Sequence, residues 1–181
     1  VPHFLSLGAG VQSSTVALMA AAGEITPRPA ACIFSDVGAE PPEVYEWLDY
    51  LETKLPFKVH RVMSTQGNLT DASLQLRTSG KTGKTYWRNN VPFFTKEETS
   101  IGQIKPGILR RKCTVDFKIG PLVRQVRKLC GIKRGGKKIE AVSWVGISWD
   151  EKERMKEARE NYIVNRWPLI ELQMTRHDCL E

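Results

Sequence analysis

The chain has 181 residues, 41% of them hydrophobic, which is enough apolar material for the buried core of a single domain. It contains no apolar run of the roughly eighteen residues that a membrane span requires, and its first residues lack the charged-then-apolar pattern of a signal peptide. Its four cysteines and three histidines are scattered without paired spacing, so we expect a reduced, cytoplasmic protein with no metal centre and no contact with a membrane.

The beginning of the sequence predicts a strand, a glycine loop and a helix. Residues 3–7 are mostly apolar, and a small-residue loop leads into a predicted helix over about residues 12–22. Such a loop binds phosphate or sulfate, because glycine lets the backbone approach the anion and free N–H groups at the helix start point towards it. A plain strand-to-helix turn is the alternative. The candidate anion-binding residues are Ser6, Gly8, Gly10, Gln12, Ser13 and Ser14.

The rest of the sequence alternates between predicted strands and helices. The further predicted strands are residues 30–35, 57–62, 139–147 and about 163–170, and the further helices are about 42–55, 115–129 and the extreme C-terminus. This alternation predicts one α/β domain over residues 1–181, with a mostly parallel, twisted sheet and helices on both faces. We expect a ligand at the carboxyl ends of the strands, where Asp36 can hydrogen-bond a ribose hydroxyl beside Gly38.

A long basic insertion separates the two halves of this pattern. Residues 64–108 form an excursion of a length typical of functional or disordered segments. The formal net charge of +7 is concentrated in residues 77–112, which hold nine basic and two acidic side chains. The aromatic residues of the same stretch are Tyr86, Trp87, Phe93 and Phe94. Together these side chains fit a nucleotide with several phosphates or a single-stranded nucleic acid, and a solvated loop with anchoring aromatic residues is the alternative.

Five groups of motifs occur in a fixed order along the chain. They are Ser6-Leu7-Gly8 with Gln12-Ser13-Ser14, Phe34-Ser35-Asp36-Val37-Gly38 with Pro42-Glu43-Val44-Tyr45, Arg111-Lys112-Cys113-Thr114 with Lys118 and Pro121-Leu122, Trp144-Val145-Gly146-Ile147-Ser148 with Glu151 and Arg154, and Trp167-Pro168-Leu169-Ile170-Glu171-Leu172 with Thr175-Arg176-His177-Asp178. In this order they resemble the phosphoadenosine phosphosulfate (PAPS) reductase family, of the PP-loop or adenine nucleotide α-hydrolase-like group. The resemblance covers nearly the whole chain outside residues 64–108.

The resemblance implies an enzyme that reduces or transfers the sulfuryl group of PAPS or adenosine phosphosulfate (APS). It implies that Gly146 and Ile147 border the adenine and that Arg154 binds a phosphate, with Arg111 and Lys118 as further nucleotide-binding residues. In the reductase reaction of the family, a cysteine thiolate attacks the sulfate sulfur and a thioredoxin-like reductant then releases sulfite. No covalently bound cofactor is expected.

Two departures from the family pattern leave the reaction open. Gln12 stands where a PP-loop pyrophosphatase carries an aspartate, and its neutral amide favours a sulfonucleotide over ATP cleavage with Mg²⁺. The family's catalytic cysteine lies in a Glu-Cys-Gly-x-His motif that this sequence does not contain, which resembles a phage-type relative without that tail. The candidate nucleophiles are then Cys113, whose thiolate the preceding Arg110-Arg111-Lys112 would stabilise, and Cys179. A structural Cys113 packed under the following helix is the alternative.

Two further classes of function fit the same sequence. One is an adenylating PP-loop enzyme, which cleaves ATP with Mg²⁺ to activate a nucleic acid or small molecule, often for thiolation. The other is a nucleotide-binding module without catalysis. The basic residues 77–112 make nucleic acid a candidate partner in either case.

Overall fold

The structure is a computed structural model that describes residues 1–87, 90–91, 94–98, 104–108, 113–133 and 138–181. The chain forms two compact units. The sheet unit consists of Val1–Ser35, Glu40–Val62 and Leu122–Glu181, and the hairpin unit consists of Asp36–Ala39 and Met63–Pro121. The basic run at 110–112, with Arg111, and the residues Arg88 and Phe93 lie outside the described residues.

The secondary structure alternates in the order expected for an α/β protein. The strands are β1 His3–Leu7, β2 Ala31–Asp36, β3 Val59–Met63, β4 Leu76–Thr78, β5 Thr85–Trp87, β6 Phe94–Glu98, β7 Ile104–Ile108, β8 Ala141–Val145 and β9 Ile163–Arg166. The α-helices are α1 Val11–Ala22, α2 Pro42–Lys54, α3 Leu69–Leu74, α4 Gly120–Cys130 and α5 Pro168–Glu171. A π-helical segment, Cys113–Ile119, precedes α4, and a 3₁₀ segment, Trp149–Arg154, follows β8.

Five of these strands form one sheet in the order β3-β2-β1-β8-β9. β1 pairs in parallel with both β2 and β8, and β8 pairs in parallel with β9. In this register Leu5 of β1 lies opposite Cys32 on one side and Trp144 on the other. The prediction of an α/β fold with a mostly parallel sheet is therefore confirmed.

Alternation along the strands builds an apolar layer on each face of the sheet. Leu5 and Phe34 pack in one layer with α1, α2 and α5, which contribute residues such as Val16 and Leu48. Phe4, Ile33 and Ala141 pack in a second layer with Val126 of α4. Burying one such large side chain contributes about 1.5–3 kcal/mol, so the two layers hold the helices on both faces, as predicted.

Three boundaries differ from the sequence-based expectation. The last strand ends at Arg166 rather than near residue 170, because Pro168 has no backbone N–H for the sheet and begins α5 instead. The expected C-terminal helix is not formed, since Gln173 adopts a left-handed φ of 56° after α5 and residues 176–180 follow as turns. The expected helix over 115–129 is divided between the π-helical segment and α4.

The hairpin unit replaces the long loop that the sequence suggested at residues 64–108. It contains α3 and two antiparallel hairpins, β4–β5 and β6–β7. Its described core consists of Val37, Ala72 and Phe117, with Leu69 packed against them. The signal for these strands is weak in the sequence because β4 and β5 have only three residues each.

None of the helices in the described part of the chain combines the length and the apolar character that crossing a lipid bilayer would require.

Candidate anion-binding site at the β1–α1 loop

The order of the strands identifies where a ligand site is favoured in the sheet unit. From β1 the chain moves outward to β2 on one side. β8 lies on the other side of β1, and from it the chain moves outward to β9. The loops that follow β1 and β8 therefore leave neighbouring parallel strands in opposite directions. Such a switch point leaves a crevice at the carboxyl ends of the strands, where α/β proteins bind their ligands.

The loop after β1 is held by the hydroxyl of Ser13. This hydroxyl accepts a hydrogen bond from the Gly8 N–H at 3.1 Å and donates one to the Gly10 carbonyl oxygen at 3.1 Å. The only O–H donor of Ser13 is thus used within the loop. Ala9 has a φ of 53°, a left-handed conformation that residues other than glycine seldom adopt. Backbone of this kind is concentrated at functional sites, where the surrounding structure imposes it.

The N-terminus of α1 presents backbone donors next to open space. The first bond within the helix runs from the Ser14 N–H to the Gly10 carbonyl oxygen at 3.0 Å, so the amides of residues 11–13 precede it. The first turn carries no acidic side chain, and an added Cβ at Gly10 would meet nothing within 4 Å. The space beside Gly10 is therefore open to a ligand, and the positive end of the helix dipole favours an anion there.

The loop after β8 lies directly against this helix start. A Cβ at Gly146 would lie 2.9 Å from both the backbone N and the Cα of Ser13, so only glycine permits this approach. Ile147 follows as a buried residue whose N–H donates to the Val145 carbonyl oxygen. Ser6 lies within β1, opposite Ile33 and Val145, with its backbone in the sheet. The structure therefore brings the first and fourth predicted motifs together.

Gln12 connects this helix start to the 3₁₀ segment and to the C-terminal turns. Its amide nitrogen donates to the Ser148 hydroxyl at 3.0 Å and to Glu151 Oε2 at 2.6 Å. Its amide oxygen accepts a hydrogen bond from Arg176 Nη1 at 3.2 Å. The orientation of the Gln12 amide thus follows from its partners, with the nitrogen facing oxygen atoms and the oxygen facing the guanidinium.

Arg154 joins the same network through Glu151. Its Nη1 lies 2.5 Å from Glu151 Oε1, while 66% of the Arg154 side chain is exposed. An exposed ion pair of this type contributes about 0–1 kcal/mol, so little free energy opposes the movement of Arg154 to another anion. Arg154, the predicted phosphate-binding residue, is thus paired with the carboxylate of Glu151. Arg154 and Arg176 are balanced in this network by two carboxylates, Glu151 and Asp150.

Hydrogen bonds hold the C-terminal turns beside the 3₁₀ segment. Asp150 accepts from the backbone N–H of Arg176 at 3.0 Å, and its bond with the Ser148 hydroxyl is the main cause that lowers the pKa of Asp150. The backbone N–H and hydroxyl of Thr175 likewise lower the pKa of Asp178. Both carboxyl groups therefore remain ionised at neutral pH, and these turns weaken only as the pH falls into the acidic range.

Ser14, in the first turn of α1, binds an aromatic side chain of α2. The Trp47 indole N–H donates to the Ser14 hydroxyl at 2.9 Å. Trp47 is 38% exposed and stacks on Tyr50, with 5.4 Å between the ring centroids. Neither this aromatic pair nor Ser148, Glu151 and Arg176 was assigned a role from the sequence. The sequence did offer one indication of their importance, because Ser148, Glu151 and Arg176 belong to the motif groups of the family resemblance.

Four other predicted site residues lie in the hairpin unit. Asp36 Oδ1 accepts a hydrogen bond from the Gly38 N–H at 2.7 Å, which closes a tight turn. Gly38 has a φ of +66°, and a Cβ there would lie 2.5 Å from the Asn68 Cβ, so this position requires glycine. Cys113 is half-buried at the start of the π-helical segment, and Lys118 is exposed near its end.

The other cysteines are shielded from solvent to different degrees. Burial raises the pKa of Cys32 to about 12, and it also raises the pKa of Cys130 and of Cys179. A thiol with a raised pKa is a poor nucleophile at neutral pH because little thiolate is present. Cys179 packs against the sheet-unit core, and its backbone carbonyl oxygen accepts from the Thr15 hydroxyl at 3.2 Å.

The described residues contain no group of three or more His, Cys, Asp or Glu side chains placed to hold a metal ion.

No protein-family model matches the chain, and no curated protein matches it either. Any function assigned to the chain therefore rests on its own motifs and loop geometry.

Proposed function

We propose that the chain binds an adenine nucleotide with a phosphate or sulfate group at the β1–α1 loop, as a sulfonucleotide-binding enzyme of the PAPS reductase type. The observation that carries this proposal is the combination of free space at Gly10, the amides at the start of α1 and the close approach of Gly146 to Ser13. These features form an anion-binding loop at the switch point of a parallel sheet.

Two arginine side chains in the network of Gln12 support a ligand with several negative groups. Arg176 donates a hydrogen bond to Gln12, and Arg154 pairs with Glu151, which also binds Gln12. The Arg154 side chain is 66% exposed. A polyanionic nucleotide can therefore compete with Glu151 for Arg154. The resemblance assigns the adenine to Gly146 and Ile147, and it adds Arg111 and Lys118 as cationic ligands. Asp36 is proposed as the partner of a ribose hydroxyl.

The proposed reaction is nucleophilic attack by a cysteine on the sulfuryl sulfur. A thiolate forms a bond to that sulfur, the bond from sulfur to the bridging oxygen breaks, and the nucleotide leaves with the electron pair. A thiol of a thioredoxin-like reductant then attacks the cysteine sulfur and releases sulfite. The resulting mixed disulfide is reduced by the second thiol of the reductant, which regenerates the free cysteine. Cys113 is the proposed nucleophile, and Cys179 is the second candidate.

Titration calorimetry with PAPS, APS, adenosine 3′,5′-bisphosphate and ATP, the last with and without Mg²⁺, tests the binding proposal. We expect PAPS and the bisphosphate to bind, and Arg154→Ala and Arg111→Ala each to weaken PAPS binding, most strongly at low salt. The absence of binding by all four nucleotides contradicts the proposal. If only ATP with Mg²⁺ binds and pyrophosphate is released, the adenylating alternative replaces it.

Sulfite release with a thioredoxin-like reductant tests the proposed nucleophile separately. Cys113→Ser is expected to abolish sulfite release, whereas Cys130→Ser serves as a matched thiol control that retains it. Iodoacetamide should label Cys113 faster than Cys32, and bound PAPS should slow that labelling. Sulfite release by Cys113→Ser at the wild-type rate would exclude Cys113, and loss of release in Cys179→Ser alone would transfer the role to Cys179.

A further inference from the structure

The β4–β5 hairpin exposes apolar and aromatic side chains that the fold of the hairpin unit does not cover. Leu76 of β4 lies directly opposite Trp87 of β5, so their side chains share one face. Leu76 is 52% exposed and Trp87 is 64% exposed. Tyr86, on the other face, is 48% exposed. Large aromatic side chains are rarely left in water without a partner, so this hairpin has the composition of a contact surface.

The turn of the hairpin adds positive charge beside these aromatic residues. It is closed by hydrogen bonds from the Ser79 N–H to the Lys84 carbonyl oxygen at 2.9 Å and from the Gly83 N–H to the Ser79 carbonyl oxygen at 2.8 Å. Lys81 and Lys84 are exposed. Residues 72–87 contain no aspartate or glutamate, so nothing within the hairpin neutralises the two lysines. A surface of this charge favours a polyanion over an acid-poor protein or an apolar peptide.

Arg77 supports the hairpin instead of adding to this surface. Its Nη2 donates to Gln66 Oε1 at 2.8 Å, and the side chain is half-buried. One face of the hairpin is thereby held against the rest of its unit, and the face with Leu76 and Trp87 remains exposed. Trp87 and the two lysines of the turn therefore belong to the same two-stranded hairpin.

We infer that the β4–β5 hairpin binds single-stranded nucleic acid, with a base stacked on Trp87 and phosphates contacted by Lys81 and Lys84. Exposed aromatic rings beside lysines are the recurring chemistry of single-strand recognition, because every base offers a π-face and every nucleotide a phosphate. A duplex hides its base faces, so it engages the lysines only. This inference does not depend on the proposed nucleotide site, because it uses none of the residues assigned to that site.

Fluorescence anisotropy with a labelled twenty-nucleotide oligo(dT), and with the same strand in an oligo(dT)·oligo(dA) duplex, tests the inference. We expect the single strand to bind more tightly than the duplex. Trp87→Ala should weaken binding about tenfold or more. Two lysine–phosphate contacts on a single strand correspond to a loss of about sevenfold between 50 and 200 mM salt, which Lys81→Gln/Lys84→Gln should abolish.

The sheet unit supplies a matched control. Tyr50 is 50% exposed, with Lys54 Nζ 5.2 Å from the centroid of its ring, so Tyr50→Ala/Lys54→Gln removes an equivalent exposed pair. This variant should bind the oligonucleotide as the wild type does. Trp87→Leu separates stacking from apolar contact, and it should lose affinity as Trp87→Ala does. Equal binding of duplex and single strand, no binding, full affinity of either Trp87 variant, or an unchanged salt dependence in the lysine variant would overturn the inference.

Discussion

Replacing Gly10 by valine tests the anion-binding loop with little disturbance of the fold. Gly10 has a φ of −87° and a ψ of 170°, an extended conformation that valine readily adopts. Outside the neighbouring residues, no atom lies within 4 Å of an added Cβ, so the new side chain projects into the open space that we propose for the anion. The substitution should therefore prevent the ligand from approaching the start of α1 while leaving the sheet unit folded.

The expected loss of affinity follows from the amides that precede the first bond of α1. A hydrogen bond to a charged group contributes about 1.5–3 kcal/mol, so losing even one amide contact weakens binding by about tenfold or more. Valine is a poorer residue than glycine at the N-cap, which costs about 1 kcal/mol of stability. For a chain of this length that corresponds to a fall in melting temperature of about 2–4 °C.

The assay is titration of folded Gly10→Val with PAPS and with adenosine 3′,5′-bisphosphate, after circular dichroism has verified the fold. Gly80→Val is the matched control, because a Cβ at Gly80 also meets nothing within 4 Å and Gly80 lies in the hairpin unit. The control should bind the nucleotides as the wild type does. A folded Gly10→Val variant with wild-type affinity would refute the assignment of the loop as an anion site.

Three further predictions follow from single contacts. Glu151→Gln removes the negative charge that holds Arg154 and should raise PAPS affinity several-fold, measured by titration against Asp49→Asn as a control; unchanged affinity would show that Arg154 does not bind the ligand. Gly146→Ala should lower the melting temperature, because its Cβ would lie 2.9 Å from backbone atoms of Ser13, and a variant as stable as the wild type would contradict this packing. Burial raises the pKa of Cys32 to about 12, so the thiol loses its proton at a lower pH in the unfolded chain than in the folded one. The free energy of unfolding should therefore fall by about 1.4 kcal/mol per pH unit above pH 9. In denaturant unfolding, the free energy of unfolding of Cys32→Ala should fall less steeply with alkaline pH.

The first elements of the sheet unit, from β1 to β3, could be predicted because their signals are local. Alternating or continuous apolar residues mark the strands, and the small residues before Val11 mark the turn into α1. The predicted strand at 3–7 and the predicted helix at about 12–22 correspond closely to β1 and α1. The hairpins at residues 64–108 could not be predicted in the same way, since a three-residue strand such as β4 is too short to show a period.

The contacts around Gln12 could not be read from the sequence. Glu151 is separated from Gln12 by 139 positions and Arg176 by 164, and nothing local indicates that their side chains meet. Likewise, Asp150 beside the Arg176 backbone depends on how the C-terminal turns pack on the 3₁₀ segment.

The amino-acid sequence alone determined where the strands and helices from β1 to β3 and the glycine loop lie, because backbone preference and apolar periodicity act over a few residues. Only the tertiary structure decided that β8 lies beside β1, that Gly146 touches Ser13 and that Gln12 binds Glu151. Sheet order and these contacts are set by burial and by polar interactions between distant segments. The free energy of those contacts depends on which surfaces meet when the chain packs, a property that no single stretch of sequence carries.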